Sequence, residues 1–231
     1  MNENLQSFLV PGKLYFKQGC LPVALAELKY ELHKNRILIL TDAALMLTDA
    51  LLPVTGALYD LGITFSVIPS DGNTLSSCRK FEPDCIIACG SAETLQVAAG
   101  VREGFDPKVY FITIPTTLGK TQTAARPDMV IVDEDMVAEP DETAISGILA
   151  TARDSLCGAN ASDYTLGFAV QAMSIIFGGA KDKTSLLRAA SLAENAFAIA
   201  YAGGGKGGVD LTADAADALG LTVEELTAKL N

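Results

Sequence analysis

Short, unbroken apolar runs punctuate the first part of the chain, and each ends on a polar or small residue. Arg36-Ile37-Leu38-Ile39-Leu40-Thr41-Asp42 is one; residues 63–68, Asp84-Cys85-Ile86-Ile87-Ala88-Cys89-Gly90, residues 109–114 and Met129-Val130-Ile131-Val132-Asp133 are others. Runs of this length without alternation predict strands buried on both faces. The helical patterns between them predict a parallel sheet covered on both sides. Such a sheet binds its ligand beyond the carboxyl ends of the strands. Those ends carry Asp42, Gly90-Ser91 and Pro115-Thr116-Thr117.

After about Glu139 the strand pattern stops. Asp141 and Glu142 place negative charge at an expected helix N-terminus, where the helix dipole favours it. A helix is predicted over 162–177, closed by Gly178-Gly179. Another is predicted over 184–202, with Leu186, Leu187, Ala190, Ala193, Ala196, Phe197 and Ala200 at helical spacing and Gly203 as its stop. Thr222 and Glu225 fit a capping box, and Gly220 closes the helix before it. The fold class read from this pattern is α/β: a parallel-sheet domain over 1–138, then an all-helical domain over 139–231, with a ligand cleft expected between them.

Charge and cysteine usage narrow the setting. The 231 residues carry a formal net charge of -11, and Lys and Arg form no run. That disfavours nucleic acid and anionic lipid, which reward clustered cations. No apolar stretch is long enough for a membrane span, and Met1-Asn2-Glu3-Asn4 lacks the basic start of a secretion signal. The five cysteines are an odd number without a CxxC pair, and Cys85 and Cys89 sit inside a strand pattern. A reducing, cytoplasmic location is the expectation.

The segment Pro11-Gly12-Lys13-Leu14-Tyr15-Phe16-Lys17-Gln18-Gly19-Cys20-Leu21-Pro22 resembles the start of an iron-containing alcohol dehydrogenase, above all the alcohol dehydrogenase half of bifunctional aldehyde-alcohol dehydrogenases. Leu40-Thr41-Asp42, Thr74-Leu75-Ser76, Phe81-Glu82-Pro83-Asp84, Ile114-Pro115-Thr116-Thr117 and Pro127-Asp128-Met129-Val130 follow in the family's order. The resemblance runs from residue 11 to about 206. It implies a Rossmann-like domain for NAD(P), a helical domain for Fe(II) or Zn(II), and oxidation of a primary alcohol.

The resemblance is degenerate where chemistry is expected. The family's Gly-Gly-Gly-Ser phosphate loop falls on Gly90-Ser91-Ala92-Glu93, and the family's following Asp and Lys fall on Gln96 and Ala99. Glu93 facing a diphosphate would be repulsive by roughly 1 kcal/mol or more at a surface-like dielectric. Asp42, Gly90, Ser91, Thr116 and Thr117 are the cofactor-binding candidates. Asp42 is either an acceptor for an adenosine ribose hydroxyl or a turn residue. NAD(P) binding is expected to be weak.

The family's metal pair, Asp-x-x-x-His, becomes Asp154-Ser155-Leu156-Cys157-Gly158, and a later ligand position falls on Lys206. The sequence's one histidine, His33, lies far from these positions and reads as a surface residue. A lone carboxylate does not hold a transition metal against water. No metal is therefore expected; Asp154 is the one retained ligand, and Cys157 is a poor substitute partner.

Three functions remain open on this reading. The first is a pseudoenzyme serving as an interaction or regulatory subunit. The second is a divergent, metal-independent NAD(P)-linked oxidoreductase with Lys206 polarising a carbonyl. The third is a small-ligand binding module. Family segments are missing between Lys80 and Phe81 and after Thr123, so newly exposed apolar surface is expected. That predicts a homodimer or a hetero-complex with a related dehydrogenase, with residues 14–16 as a pairing strand.

Overall fold

The computed structural model describes residues 12–70, 74–105, 108–118, 127–201 and 209–230, without the side chains of 74–77. Its packing divides into two compact units, meeting in sequence at Ala138 and Glu139, with Leu118 counted in the helical unit.

The first unit alternates strands and helices: β1 (Lys13–Phe16), α1 (Leu21–Tyr30), β2 (Arg36–Thr41), α2 (Leu52–Asp60), β3 (Thr64–Pro69), α3 (Thr74–Phe81), β4 (Cys85–Gly90), α4 (Ala92–Glu103), β5 (Tyr110–Pro115) and β6 (Met129–Val132). The sheet is six-stranded, in the order β1-β6-β5-β4-β2-β3, and its pairings are parallel. The strands read from the apolar runs are present within a residue or two. The predicted pattern lacked β1 as a sheet strand; residues 13–16 pair with β6 inside the chain's own sheet, with Lys13 opposite Met129 and Phe16 opposite Val132.

Period-two alternation sorts the core onto the two faces of the sheet. Ile37, Ile39, Cys85, Ile87, Cys89, Ile112 and Ile114 pack with Leu25 and Leu28 of α1 and Val54 and Leu58 of α2. Leu38, Leu40, Ile86, Ala88 and Phe111 pack with Cys78 of α3 and Leu95, Ala98 and Ala99 of α4. Both faces are dry, which is why these strands read as continuous apolar runs. The start of α1 is set by Pro22 in its first turn and by Asp133 after β6, which accepts from the Gly19 and Leu21 amides at 2.9 Å each. His33 is exposed and sits at φ 52 in the turn between α1 and β2.

The second unit contains α5 (Glu142–Ser155), α6 (Asp163–Phe177), α7 (Lys183–Ala200), α8 (Thr212–Ala218) and α9 (Val223–Leu230). Its core is rich in alanine: Ala152, Ala169, Ala172, Ala189, Ala193 and Ala196 meet Ile148, Leu156 and Met173. Small side chains at these positions let the helix axes approach closely. Asp141 caps α5 through the Ala144 amide at 2.8 Å, and Asp182 caps α7 through the Ser185 amide at 2.8 Å. The capping box at α9 forms in both directions, Thr222 N–H to Glu225 at 2.8 Å and Glu225 N–H to Thr222 at 3.1 Å. Gly179 (φ 82) and Gly220 (φ 66) take the left-handed turns that follow α6 and α8. The helix predicted to reach residue 202 ends at Ala200, and Gly203 lies outside the described residues. Among the described residues, no helix is long and apolar enough to cross a membrane.

Candidate functional site

β2 and β4 are neighbours in the sheet although β3 lies between them in sequence, so their carboxyl ends form the point where strand order reverses. Asp42 leaves β2 there, and Gly90-Ser91 leave β4. The structure joins them directly. One carboxylate oxygen of Asp42, Oδ2, accepts the Ser91 amide at 2.8 Å; the other, Oδ1, accepts the Ser91 hydroxyl at 2.6 Å and the Thr94 hydroxyl at 2.8 Å. Ser70, just past β3, lies 2.6 Å from the Thr94 hydroxyl. The Thr94 proton is committed to Asp42, so Ser70 is the donor in that pair. The ends of three adjacent strands are thus tied through one carboxylate.

Gly90 is required by this close approach. A Cβ at that position would lie 2.3 Å from Asp42 Oδ2 and 3.0 Å from Thr94 side-chain carbons. Ser91 is the N-cap residue of α4, with extended backbone (φ -67, ψ 169), yet its side chain makes no cap bond to the helix. That side chain donates instead to the Asp42 carboxylate, which also accepts the Ser91 amide. Burial pushes the Asp42 carboxyl up, but the hydrogen bonds from Ser91 and Thr94 outweigh it and hold the group below its ordinary value.

Thr116 is buried and bound through its backbone: its amide donates to the Gly90 carbonyl at 3.0 Å, and its carbonyl accepts the Ala138 amide at 2.9 Å. Thr117 is exposed. Glu93 and Gln96 are also exposed, whereas Ala99 is packed into the core. Asp42, Gly90, Ser91 and Thr116 therefore form one cluster, with Thr117 at its edge. Thr94 and Ser70 belong to the cluster and are absent from the sequence reading; their signal is position, each lying just beyond a strand's carboxyl end. An open groove of about 690 Å³ lies elsewhere, at the amino ends of β4 and β5, lined by Lys34, Arg79, Glu82, Asp84, Phe105 and Lys108 among others.

In the helical unit, Asp154 pairs with its sequence neighbour Arg153, whose guanidinium donates to Oδ1 at 3.1 and 3.3 Å. Tyr201, stacked on Phe197 with ring centroids 4.1 Å apart, donates its hydroxyl to the Asp154 backbone carbonyl at 3.2 Å. A Cβ on Gly158 would lie 2.5 Å from Ala200 Cβ and 2.7 Å from the Ala200 carbonyl oxygen. The exposed Cys157 thiol donates to Asp210 at 3.6 Å; burial first, then the Asp210 charge, pushes it above its ordinary value. Lys206 lies outside the described residues. Among the described residues, no three His, Cys, Asp or Glu side chains gather in a way that would hold a metal.

No protein-family model matches the chain. An aldehyde-alcohol dehydrogenase from Clostridium acetobutylicum is 27% identical over 236 residues, covering 76% of this chain and 27% of the relative. Alcohol dehydrogenases of known structure share the architecture. The iron-containing enzyme from Thermotoga maritima superposes with a TM-score of 0.75 at 13% identity, over 98% of this chain and 87% of that one. The iron-containing alcohol dehydrogenase from Thermococcus thioreducens gives 0.70 at 17% identity, over 84% and 66%. The chain has the fold of the iron-containing alcohol dehydrogenases and is similar in sequence to an aldehyde-alcohol dehydrogenase. It spans about a quarter of the length of the curated relative it matches.

Against that family, the residues present do not fit the Asp-x-x-x-His metal pair. The carboxylate at Asp154 already serves a guanidinium, and the histidine position is a glycine in contact with backbone of α7. At the sheet, the loop after β4 sets a carboxylate, Asp42, against the Ser91 amide beside Gly90.

Proposed function

We propose that this chain uses the iron-containing alcohol dehydrogenase scaffold without its hydride chemistry, as an interaction or regulatory subunit that pairs with itself or with a related dehydrogenase. The observation that carries this reading is the packing of Gly158 on Ala200. Position 158 lies just past the end of α5, where a Cβ would overlap Ala200 at 2.5 Å, and Arg153 supplies the positive charge that the Asp154 carboxylate would otherwise seek in a metal. The pairing part of the reading rests on exposed apolar side chains, among them Leu47 at 89% exposure and Leu52 at 60%.

The test has two arms. Elemental analysis of protein purified without chelator is expected to find far less than one iron or zinc per chain, and titration with NADH is expected to show no affinity tighter than on the order of 100 µM, about 5.5 kcal/mol. A metal ratio near one, or NADH-dependent reduction of an aldehyde, would sink the proposal and favour the metal-independent or metal-dependent oxidoreductase instead. Light scattering across a dilution series reads the pairing; a constant mass of 24.2 kDa removes the homodimer.

A further inference from the structure

We propose that the outward face of α1 and α2 is the surface through which the chain pairs with a second copy of itself. Of the eleven large apolar side chains that stand exposed among the described residues, six fall between residues 23 and 59: Val23, Tyr30, Met46, Leu47, Leu52 and Tyr59. The two helices account for most of them. α1 buries Leu21, Ala24, Leu25 and Leu28 against the sheet, and α2 buries Val54 and Leu58 against the same face. On the opposite side of α1, Val23, Ala26 and Tyr30 recur at helical spacing; on the opposite side of α2, Leu52, Gly56 and Tyr59 do the same. Val23 is 64% exposed, Tyr30 71%, Leu52 60% and Tyr59 77%. A helix that is apolar all round belongs inside a structure, and each of these has one side covered.

Charge is absent from both stripes. The charged residues of α1 are Glu27, which is turned to Lys13 and Tyr15 of β1, and Lys29, which bonds Asn35 Oδ1 at 3.1 Å. In α2 the one charged residue is Asp60, at its end. Two copies of a chain with a net charge of -11 repel through charged surface, so an uncharged face is where they can close. The strands of the sheet are parallel, so α1 and α2 run in the same direction, with Val23 and Leu52 at one end of the layer and Tyr30 and Tyr59 at the other. A two-fold axis normal to this layer sets the partners' helices antiparallel, and each tyrosine end then meets an end carrying Val23 and Leu52. It also keeps the exposed Glu31 and Asp60, beside the tyrosines, a helix length from their copies. A Cβ on Gly56 would meet nothing within 4 Å, which leaves a notch between Leu52 and Tyr59 for a partner's ring. With Leu47, 89% exposed in the turn leading into α2, the apolar patch is on the order of 800 Å², the area each partner buries in an interface of standard size. The inference rests on the pairing half of the proposed reading and names its surface.

The experiment is light scattering on the whole protein across a dilution series, comparing wild type, the double variant Val23→Glu with Leu52→Glu, and Val223→Glu. Positions 23 and 52 lie in first turns, where the helix dipole favours negative charge, so the substitutions spare the fold. Val223 is likewise exposed in the first turn of α9, which makes V223E the matched control. Wild type and V223E are expected at twice 24.2 kDa, dissociating on dilution, with association at least tenfold weaker in V23E/L52E. Should circular dichroism show that double variant unfolded, Tyr30→Lys with Tyr59→Lys, cations at helix ends, carries the same comparison. Glutamate variants that dimerise as tightly as wild type overturn the inference and leave pairing through another surface standing. Equal weakening by V223E overturns it as well, because association then follows net charge rather than place. A wild type constant at 24.2 kDa up to millimolar protein overturns it and removes the homodimer, leaving the hetero-complex of the proposed reading. None of these outcomes touches the metal and NADH arms of that reading.

Discussion

Replacing Gly158 with alanine is expected to cost far more than a single methyl group normally would. The new Cβ lies 2.5 Å from Ala200 Cβ, 2.7 Å from its carbonyl oxygen and 2.9 Å from its carbonyl carbon. Favourable carbon contacts begin near 3.5 Å. Two of the three obstacles are backbone, so no rotamer change relieves them. The end of α7 is also held in place: the Asn160 amide donates to the Ala200 carbonyl at 2.8 Å, the Tyr201 amide to Phe197 at 3.0 Å and the Tyr201 hydroxyl to Asp154 at 3.2 Å. Overpacking costs about 1–3 kcal/mol, and losing the Asn160 bond adds about 1 kcal/mol, so G158A should lose about 3 kcal/mol. Ala200→Gly removes only the nearest obstacle and by itself costs up to about 1 kcal/mol at the last turn of a helix. In the G158A background it should instead recover about 1 kcal/mol, a coupling that a double-mutant cycle in urea resolves by far-UV circular dichroism. Gly158→His meets the same backbone and should neither gain metal nor match wild-type stability. A G158A protein within about 0.5 kcal/mol of wild type, or simple additivity with A200G, would refute the packing argument.

Further outcomes follow from other groups. The depressed Asp42 carboxyl contributes stability above its unfolded pKa of about 3.9 and loses it as pH falls through the lower folded value. Discounted for its partial exposure, the stability gap between wild type and D42N should be about 1 kcal/mol, constant from about pH 5 to 8 and closing below about pH 4; a gap that widens in acid contradicts the sign. Asp141→Ala removes the α5 cap and should cost about 1 kcal/mol in the same urea assay, with no measurable loss counting against the cap. Alkylation of the native protein should label Cys157 first, since Cys20, Cys78, Cys85 and Cys89 are buried, and Asp210→Asn should speed that labelling severalfold at pH 8. Equal rates in wild type and D210N would mean that Asp210 does not hold the thiol up.

The strands of the central sheet are legible because burial on both faces writes a continuous apolar run, and the helix ends are legible because their caps are local. Asp141, Thr222, Glu225 and Gly220 need only their own neighbours. β1 is harder to see. Lys-Leu-Tyr-Phe is four residues long, its first two positions are exposed, and its partner lies at the far end of the domain. The cluster at the switch point is legible only in part. Asp42 and Gly90 stand out as strand ends, but their union depends on β2 lying beside β4, and that adjacency is a matter of sheet order. Arg153 is hidden for another reason: helix neighbours at i and i+1 do not normally face each other, so its grip on Asp154 has no spacing signature.

The two candidate sites share a physical logic that a motif comparison alone does not reach. A polar group in a partly buried ligand site is costly unless water, a ligand or the chain itself satisfies it. On the proposed reading, part of that satisfaction comes from within the chain. At the sheet, the Ser91 amide and the Ser91 and Thr94 hydroxyls meet Asp42; in the helical unit, the Asp154 carboxylate meets Arg153, and Gly158 packs on Ala200. These contacts are opposite in electrical sense, a carboxylate at the start of α4 and a guanidinium beside Asp154. Each satisfies locally what the ligand would otherwise satisfy, so the scaffold gains stability that no longer depends on a ligand being present. Restoring the family histidine alone is therefore insufficient: a histidine at 158 still faces Ala200. The obstacle at Ala200 has to be removed before a side chain at 158 can be accommodated, which is why the A200G background tests the packing more sharply than an added histidine alone.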